Sequence, residues 1–208
     1  LLIQSSTREG AVTFEDTGPG FKRMEFDGTN DYATSGSPSI DWRSSDTQGT
    51  LLGWFKLDEV SSENLFSKGD TAGNNNFMQL WVNESAKLDI MHRISGTDHR
   101  MQGNTTITVG TWHLLGVVSD GTSWTLYVDG TAETGSVLLG KNSGNWSGDV
   151  VGGDVISIGQ LVRQDGGDWF GGQISQIAAW GGSSGTTGIL TASQISAIYD
   201  LGPGADLT

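Results

Sequence analysis

The sequence predicts an all-β fold, a two-sheet antiparallel sandwich closed by one short C-terminal helix. Three observations carry that expectation. About a dozen short apolar runs recur at roughly 8 to 12 residue spacing, the rhythm of a sandwich rather than of βαβ units. Glycine punctuates them, at 32 of 208 residues, about twice the usual ~7 %. Only one stretch, residues 191–203, has the grammar of a helix.

Taken in order, residues 1–25 hold the short runs Leu1-Leu2-Ile3 and Val12-Thr13-Phe14, broken by Gly10, Gly18, Pro19 and Gly20, and read as edge strands. Residues 24–33 read as strand, polar turn and strand. Gly28 can take a positive φ there, and Asp27, Asn30 and Asp31 crowd three oxygen-bearing side chains into the turn. Residues 35–49 form a polar loop carrying Ile40 and Trp42. Residues 50–57 are apolar on both parities, with Leu51, Gly53, Phe55 and Leu57 on one face and Leu52 and Trp54 on the other. That is the pattern of a central strand covered on both sides. Residues 64–70 are a short strand and turn, and 71–76 an Asn-rich exposed loop.

Residues 77–82 and 87–94 form a strand pair turning near Asn83. An even-membered loop after Ile94 keeps Ile90, His92, Ile94, His99 and Met101 on one face and sets Arg93 opposite Arg100 on the other. The strongest local signal is the hairpin of residues 108–130, two period-two runs around a polar turn containing Asp120-Gly121. Trp112, Leu114, Gly116 and Val118 share a face, as do Trp124, Leu126 and Val128, so both strands offer an apolar face to one core. Residues 133–153 read as a long Gly/Asn/Asp/Ser loop containing Trp146, residues 154–161 as a strand, and residues 166–180 as a turn and a long final strand. In the helix, Thr191 and Gln194 fit a capping box, Ile195, Ile198 and Tyr199 make the apolar stripe, and Gly202-Pro203 supplies the stop.

Composition narrows the partners. The formal charge is −13, from 24 acidic against 11 basic residues, which argues against nucleic acid, whose binders need a basic face. There is no cysteine, hence no disulfide framework and no thiolate metal site. No apolar run is long enough for a transmembrane helix, so membrane insertion is not expected. The start at Leu1 without Met reads as a mature chain or an excised domain, and the whole of 1–208 as one domain with a tail at 202–208.

Eight phrases then follow one another in a telling order. They are Phe26-Asp27-Gly28-Thr29-Asn30-Asp31-Tyr32, Leu52-Gly53-Trp54-Phe55-Lys56-Leu57, Leu65-Phe66-Ser67-Lys68-Gly69, Gly110-Thr111-Trp112-His113 and Leu126-Tyr127-Val128-Asp129-Gly130. After them come Ile156-Ser157-Ile158-Gly159, Phe170-Gly171-Gly172-Gln173-Ile174 and Leu190-Thr191-Ala192-Ser193-Gln194-Ile195. The series, over residues 24–200, resembles the laminin G-like, concanavalin A-like jelly-roll domains, in the branch that also resembles pentraxins. That resemblance implies a jelly-roll sandwich but not one function, since the fold hosts lectins, carbohydrate-binding modules, adhesion modules and virion domains. It also implies a structural calcium held through Asp27 and Asp31, with Asn30 secondary. Ser175-Gln176 stands where the family often has an acidic residue after the last-strand isoleucine. Read from the residues alone, the same side chains cap the turn.

Candidate chemistry is sparse. A glycosidase needs two carboxylates about 5 Å apart across one bond, and no strand here alternates acids in that way, so no enzyme is expected. His113 sits inside a fold phrase and reads as structural, while His92 and His99 without a third ligand make a poor zinc site. Arg93 and Arg100, two of 11 basic residues, point either to an anionic partner such as a sulfated or sialylated glycan or to solvated side chains with acids nearby. Trp146 and Trp169, each in a polar Gly-rich loop, are the candidate sugar platforms, whereas Trp54, Trp112, Trp124 and Trp180 alternate with core residues. Sequons begin at Asn83, Asn104 and Asn145. The expected function is a non-catalytic, extracellular or surface-displayed domain that binds a glycan or glycoconjugate or mediates adhesion. The alternative is a structural domain of a virion or secreted assembly whose partners are protein subunits.

Overall fold

The computed structural model describes residues 7–9, 13–16, 22–34 and 44–204. The run Leu1-Leu2-Ile3, the punctuation at Gly10, Gly18, Pro19 and Gly20, Ile40 and Trp42, and tail residues 205–208 lie outside the described residues. The strands are β1 (Thr7–Glu9), β2 (Thr13–Asp16), β3 (Lys22–Asp27), β4 (Tyr32–Thr34), β5 (Gln48–Leu57), β6 (Glu63–Gly69), β7 (Phe77–Val82), β8 (Lys87–Ile94) and β9 (Thr97–Thr106). They continue as β10 (Trp112–Ser119), β11 (Trp124–Val128), β12 (Thr131–Ala132), β13 (Ser136–Leu139), β14 (Val155–Ile158), β15 (Gln160–Leu161), β16 (Gly167–Trp169) and β17 (Gly171–Gly182), before helix α1 (Ala192–Leu201). Among the described residues an eight-stranded sheet runs β1-β4-β14-β6-β7-β8-β9-β13 and a seven-stranded sheet β12-β11-β10-β5-β17-β3-β2, all pairs antiparallel.

The doubly apolar strand β5 lies at the centre of the seven-stranded sheet, between β10 and β17. Leu51, Phe55 and Leu57 enter the main core between the sheets, and Leu52 and Trp54 enter a second cluster on the other side. Each such side chain contributes roughly 1.5–3 kcal/mol by leaving water. The second cluster explains the helix. Ile195 is buried against Leu52, Trp54, Leu114, Val118 and Tyr127, with Ile198 beside it, and Tyr199 stacks on Trp54 at 5.6 Å. The capping box forms as the spacing predicts, with Gln194 N donating to Thr191 Oγ1 and Thr191 N to Gln194 Oε1.

The hairpin of β10 and β11 forms, its turn held by Thr122 N and Ser123 N donating to Asp120 Oδ1. Its facing differs from the expectation of one shared core. Leu115 pairs with Val128 and Val117 with Leu126. Leu115, Val117, Trp124, Leu126 and Val128 therefore face the main core, and Trp112, Leu114, Val118 and Tyr127 the helix side. Both faces are apolar, so periodicity alone could not say which parity met which core. His113 is structural, its Nδ1 paired with Asp129 Oδ2 at 2.8 Å and its Nε2 accepting from Thr108 N.

The region expected as one long loop contains a strand. β13 pairs with β9 at the edge of the eight-stranded sheet, carrying Val137, Leu138 and Leu139 at 48 %, 44 % and 44 % exposure. The last strands also break where one was expected, because Gly159 takes φ +84 between β14 and β15, a conformation open to glycine.

Candidate functional site

The outer face of the eight-stranded sheet carries most of the unexplained polar chemistry. Strand alternation sends Met78, Leu80, Val82, Leu88 and Ile90 into the core and so turns Phe77, Gln79, Trp81, Asp89, Met91 and Arg93 outward. Register aligns two rows there. One runs Ser157, Ser67, Gln79, Met91, Arg100 and the other Asn64, Trp81, Asp89, Gln102. Asn64 is 0 % exposed, yet neither atom of its amide has a hydrogen-bond partner, and the same holds for Gln79 Nε2 and Ser157 Oγ. Buried polar groups are nearly always paired, so three such side chains on one face call for an explanation.

A strap formed by residues 160–169 lies across this face. Ser67 Oγ, between Ser157 and Gln79 in the row, donates to Gln160 O at 2.7 Å and accepts from Val162 N at 3.0 Å. The fit is close: a Cβ on Gly69 would fall 1.9 Å from Val162 O. At the tip, Gln164 N donates to Gly73 O, Asp165 N to Asn74 Oδ1, and Asn74 Nδ2 to Asp165 Oδ2. Arg163 lies over the Phe77 ring at 5.4 Å. The returning limb brings Trp169, half-buried, to 5.7 Å from Tyr32. Ala33 of β4 points into the core, so Tyr32 shares the outer face.

The candidate arginines sit on this face but do not oppose one another. A two-residue turn with Ser95 at φ +48 and Gly96 at φ +81, a primed hairpin turn, pairs Arg93 with Asp98, His92 with His99 and Met91 with Arg100. Arg93 takes Asp98 in a fork, Nε to Oδ1 at 2.5 Å and Nη2 to Oδ2 at 2.8 Å. Arg100 donates from Nε to Asp89 Oδ2 at 2.7 Å and from Nη2 to the same oxygen. Their guanidinium groups cover Phe77 at 5.2 Å and Trp81 at 5.0 Å. The Arg93 bonds hold the Asp98 carboxyl below the ordinary range. Burial raises Asp89, against the Arg100 and Asn83 bonds that hold it down. The expected opposition of Arg93 and Arg100 is thus corrected, while the alternative of acids nearby is what the structure shows, with an acid beside each arginine.

Trp146 also needs correction. It is 1 % exposed and part of the main core, so its ring is no open platform. The loop is drawn between the sheets by polar anchors. His92 Nε2 lies 3.2 Å from Trp146 O, Lys68 Nζ donates to Ser147 O at 2.9 Å, and Trp146 N donates to Asp149 Oδ2 at 2.8 Å. Asn83, the first sequon residue, is buried with its amide donating to Asp89 Oδ1.

In the turn of Asp27, Asn30 and Asp31, the side chains work as caps. Asp27 Oδ1 accepts from Thr29 N at 2.8 Å and Asn30 N at 3.2 Å, and Asp31 Oδ2 from Asp27 N at 3.0 Å. Those amides, led by Thr29 N, lower the Asp27 pKa. Glu63, at the start of β6, spends one carboxylate oxygen on Gly171 N and the other on Ser61 Oγ, and burial raises its pKa. Among the described residues no three His, Asp or Glu side chains gather into a cluster that could hold a metal ion. A calcium centre wants six to eight oxygens, and here Asp27 Oδ1 and Asp31 Oδ2 are already taken by turn amides. Chelation with EDTA is expected to move Tm by less than about 1 °C, because only a ligand bound to the fold stabilises it. A clear drop in a thermal melt would restore the metal.

The profile described as the concanavalin A-like lectin/glucanases superfamily, Laminin_G_3, matches residues 27–190. The chain belongs to that superfamily. Its concanavalin A-like sandwich, with the jelly-roll pattern of two antiparallel sheets, recurs in solved structures. The CBM40 of the Ruminococcus gnavus IT-sialidase, bound to alpha2,3 sialyllactose, matches with TM-score 0.66 at 14 % identity over 91 % of this chain and 100 % of that one. Domain 4 of AbnA, a GH43 extracellular arabinanase from Geobacillus stearothermophilus, in complex with arabinotriose, matches with TM-score 0.64 at 16 % identity over 92 % and 82 %. A heptameric SAP-like pentraxin from Limulus polyphemus matches with TM-score 0.53 at 18 % identity over 90 % and 80 %. No curated protein sequence is a significant match.

In this concanavalin A-like chain, sequence reasoning missed Asn64, Gln79, Ser157 and Tyr32 as well as the strap. A signal was present. Gln79 interrupts the otherwise apolar, buried run of β7, and Asn64 and Ser67 flank the apolar Leu65-Phe66 of the buried β6; buried polar residues are more informative than exposed apolar ones.

Proposed function

We propose that the chain is a non-catalytic carbohydrate-binding module that seats an oligosaccharide on the outer face of its eight-stranded sheet. One observation carries the reading: the half-buried Trp169 and Tyr32 pair lies on the same face as the unpartnered hydrogen-bonding groups of Asn64, Gln79 and Ser157. Sugars need that combination, a ring face for their C–H surface and fixed amides and hydroxyls for their oxygens. Arg100 and Gln102 extend the polar floor, and Arg93 borders it. The two solved structures with sialyllactose and arabinotriose support the reading by sharing the fold. Catalysis is not part of it, because Asp89 and Asp98 are each committed to an arginine, whereas a glycosidase holds a proton donor and a second carboxylate ready at one bond. Calcium is not part of it either. The module acts outside the cell or on a surface, where glycans are displayed.

The test is a glycan array including alpha2,3 sialyllactose and arabinotriose, repeated with Trp169→Ala. Loss of one stacking contact is worth about tenfold in affinity, so the variant is expected to bind at least about tenfold more weakly with little change in Tm. Wild-type protein that binds no glycan, or a variant that binds equally well, rejects the reading.

A second reading, contact with protein subunits of a larger assembly, is favoured by β13, whose three exposed apolar residues lie on the edge strand of the sheet among the described residues, a template for pairing. A solution mass above that of one chain, without glycan binding, would select it.

A further inference from the structure

We propose that the strap of residues 160–169 is a lid over a buried polar subsite made by Asn64, Gln79 and Ser157, and that sugar hydroxyls reach this subsite only when the strap lifts. The inference rests on the carbohydrate-binding reading and deepens it, by adding a closed compartment to the open face.

Three observations converge on the lid. The unpartnered groups sit where the strap crosses. Ser157 and Gln79 are the cross-strand neighbours of Ser67, and Ser67 is the side chain that bonds the strap backbone. Asn64 lies further along the same strand, opposite Trp81. An amide buried with both its donor and its acceptor idle is costly to the closed state. It becomes understandable if a ligand hydroxyl, which both donates and accepts, is its partner.

The strap is also built to detach as a unit. Its own ladder is two residue pairs with an irregularity between them. Beyond Ser67, the hydrogen bonds that hold its outer part down, those of Gln164 and Asp165 to Gly73 and Asn74, are at the tip. Glycines flank it: Gly159 at φ +84 precedes it and Gly172 at φ +140 follows it. These are backbone positions that can absorb a hinge rotation. Against opening stand Leu161 and Val162, both buried, which keep the strap closed without ligand.

The strap finally carries ligand-facing chemistry of its own. Trp169 is at one end, near Tyr32, and Arg163 at the other, over Phe77 with its Nε unpartnered. Closure would bring a ring and a guanidinium down on a sugar whose other side meets the amides. Binding and closure are then one event.

Two measurements test this. In native-state hydrogen exchange on the unliganded protein, the amides of Val162, Gln164 and Asp165 are expected to exchange through local opening, at least about 100-fold faster than the amides of β5. Strap amides that exchange only with global unfolding overturn the lid, whatever the glycan results. In parallel, Asn64→Leu replaces the idle amide with an apolar group of similar shape. Tm is expected to hold or to rise by about 2 °C or more, while affinity for whichever of alpha2,3 sialyllactose and arabinotriose the wild type binds falls at least about tenfold. Unchanged affinity in Asn64→Leu overturns the subsite, and the Trp169→Ala comparison then decides the ring-face part of the carbohydrate reading separately. A fall in Tm overturns it too, since the amide would then have a structural partner. Wild-type protein that binds neither sugar rejects the carbohydrate reading, and the exchange result still decides the lid.

Discussion

Trp146→Ala is expected to lower Tm by roughly 10 °C or more. The residue is 1 % exposed within the main core, and truncating a buried tryptophan costs about 3–5 kcal/mol through lost transfer energy and the cavity left behind. In a domain of this size one kcal/mol corresponds to about 2–4 °C. Total stabilities run from about 5 to 15 kcal/mol, so a large share of the fold's margin is at stake. The effect is specific to the site. Gly49 lies under the ring so closely that a Cβ there would fall 2.5 Å from Trp146 Nε1, so the ring fills a closely fitted place in the core. A thermal melt beside a binding assay separates the two roles the sequence offered. A core role predicts a large Tm loss, with glycan affinity of the still-folded fraction unchanged. A variant that melts like wild type but fails to bind would return Trp146 to the ligand face.

Acidification should expose the anchor beneath the same loop. Burial pushes the His92 pKa from 6.5 down to about 4, with His99 and Lys68 adding to the fall and the Trp146 carbonyl opposing it. His92 is therefore neutral in the folded protein at a pH where the unfolded chain already takes up its proton. The stability tied to its neutral form is whole above pH 6.5 and is lost as pH falls from 6.5 to about 4. The loss is about 3 kcal/mol at 1.36 kcal/mol per pKa unit. Glu63 and Asp89, raised by burial, act in the opposite sense, because protonation relieves their buried charge. Comparing Tm against pH for the wild type and His92→Gln isolates the histidine. The variant is expected to show a flatter profile between pH 6.5 and 4, and parallel curves would refute the assignment. The loss of protection should begin in residues 142–150, since His92 meets the Trp146 carbonyl.

Much of the architecture was legible in the chain. The double apolar parity of residues 50–57 placed β5 at the centre of its sheet, the capping box at Thr191 and Gln194 placed the helix, and eight phrases in order named the fold that the profile match bears out. The strand pair turning at Asn83 also formed where expected, with Asn83 Oδ1 capping Ser85 N and Lys87 N. Local rules sufficed there because each feature is decided within a few residues, by alternation, by a cap or by a turn.

The candidate site was decided elsewhere. The sequence by itself determined that two apolar faces exist, that polar residues interrupt β6 and β7, and that tryptophans sit in Gly-rich loops. Only the tertiary structure decided which tryptophan went inside, since the Trp146-Ser147 backbone is held by His92 and Lys68, 54 and 79 positions away in the chain from the carbonyls they meet. It also fixed the hairpin register that sets Asp98 beside Arg93 and Asp89 beside Arg100, so that both cations are compensated. And only it brought residues 160–169 across Ser67, 93 residues earlier, so that Asn64, Gln79 and Ser157 became a covered row. Burial and charge compensation depend on what the rest of the chain lays over a residue, and the residue's own neighbours in sequence do not carry that information.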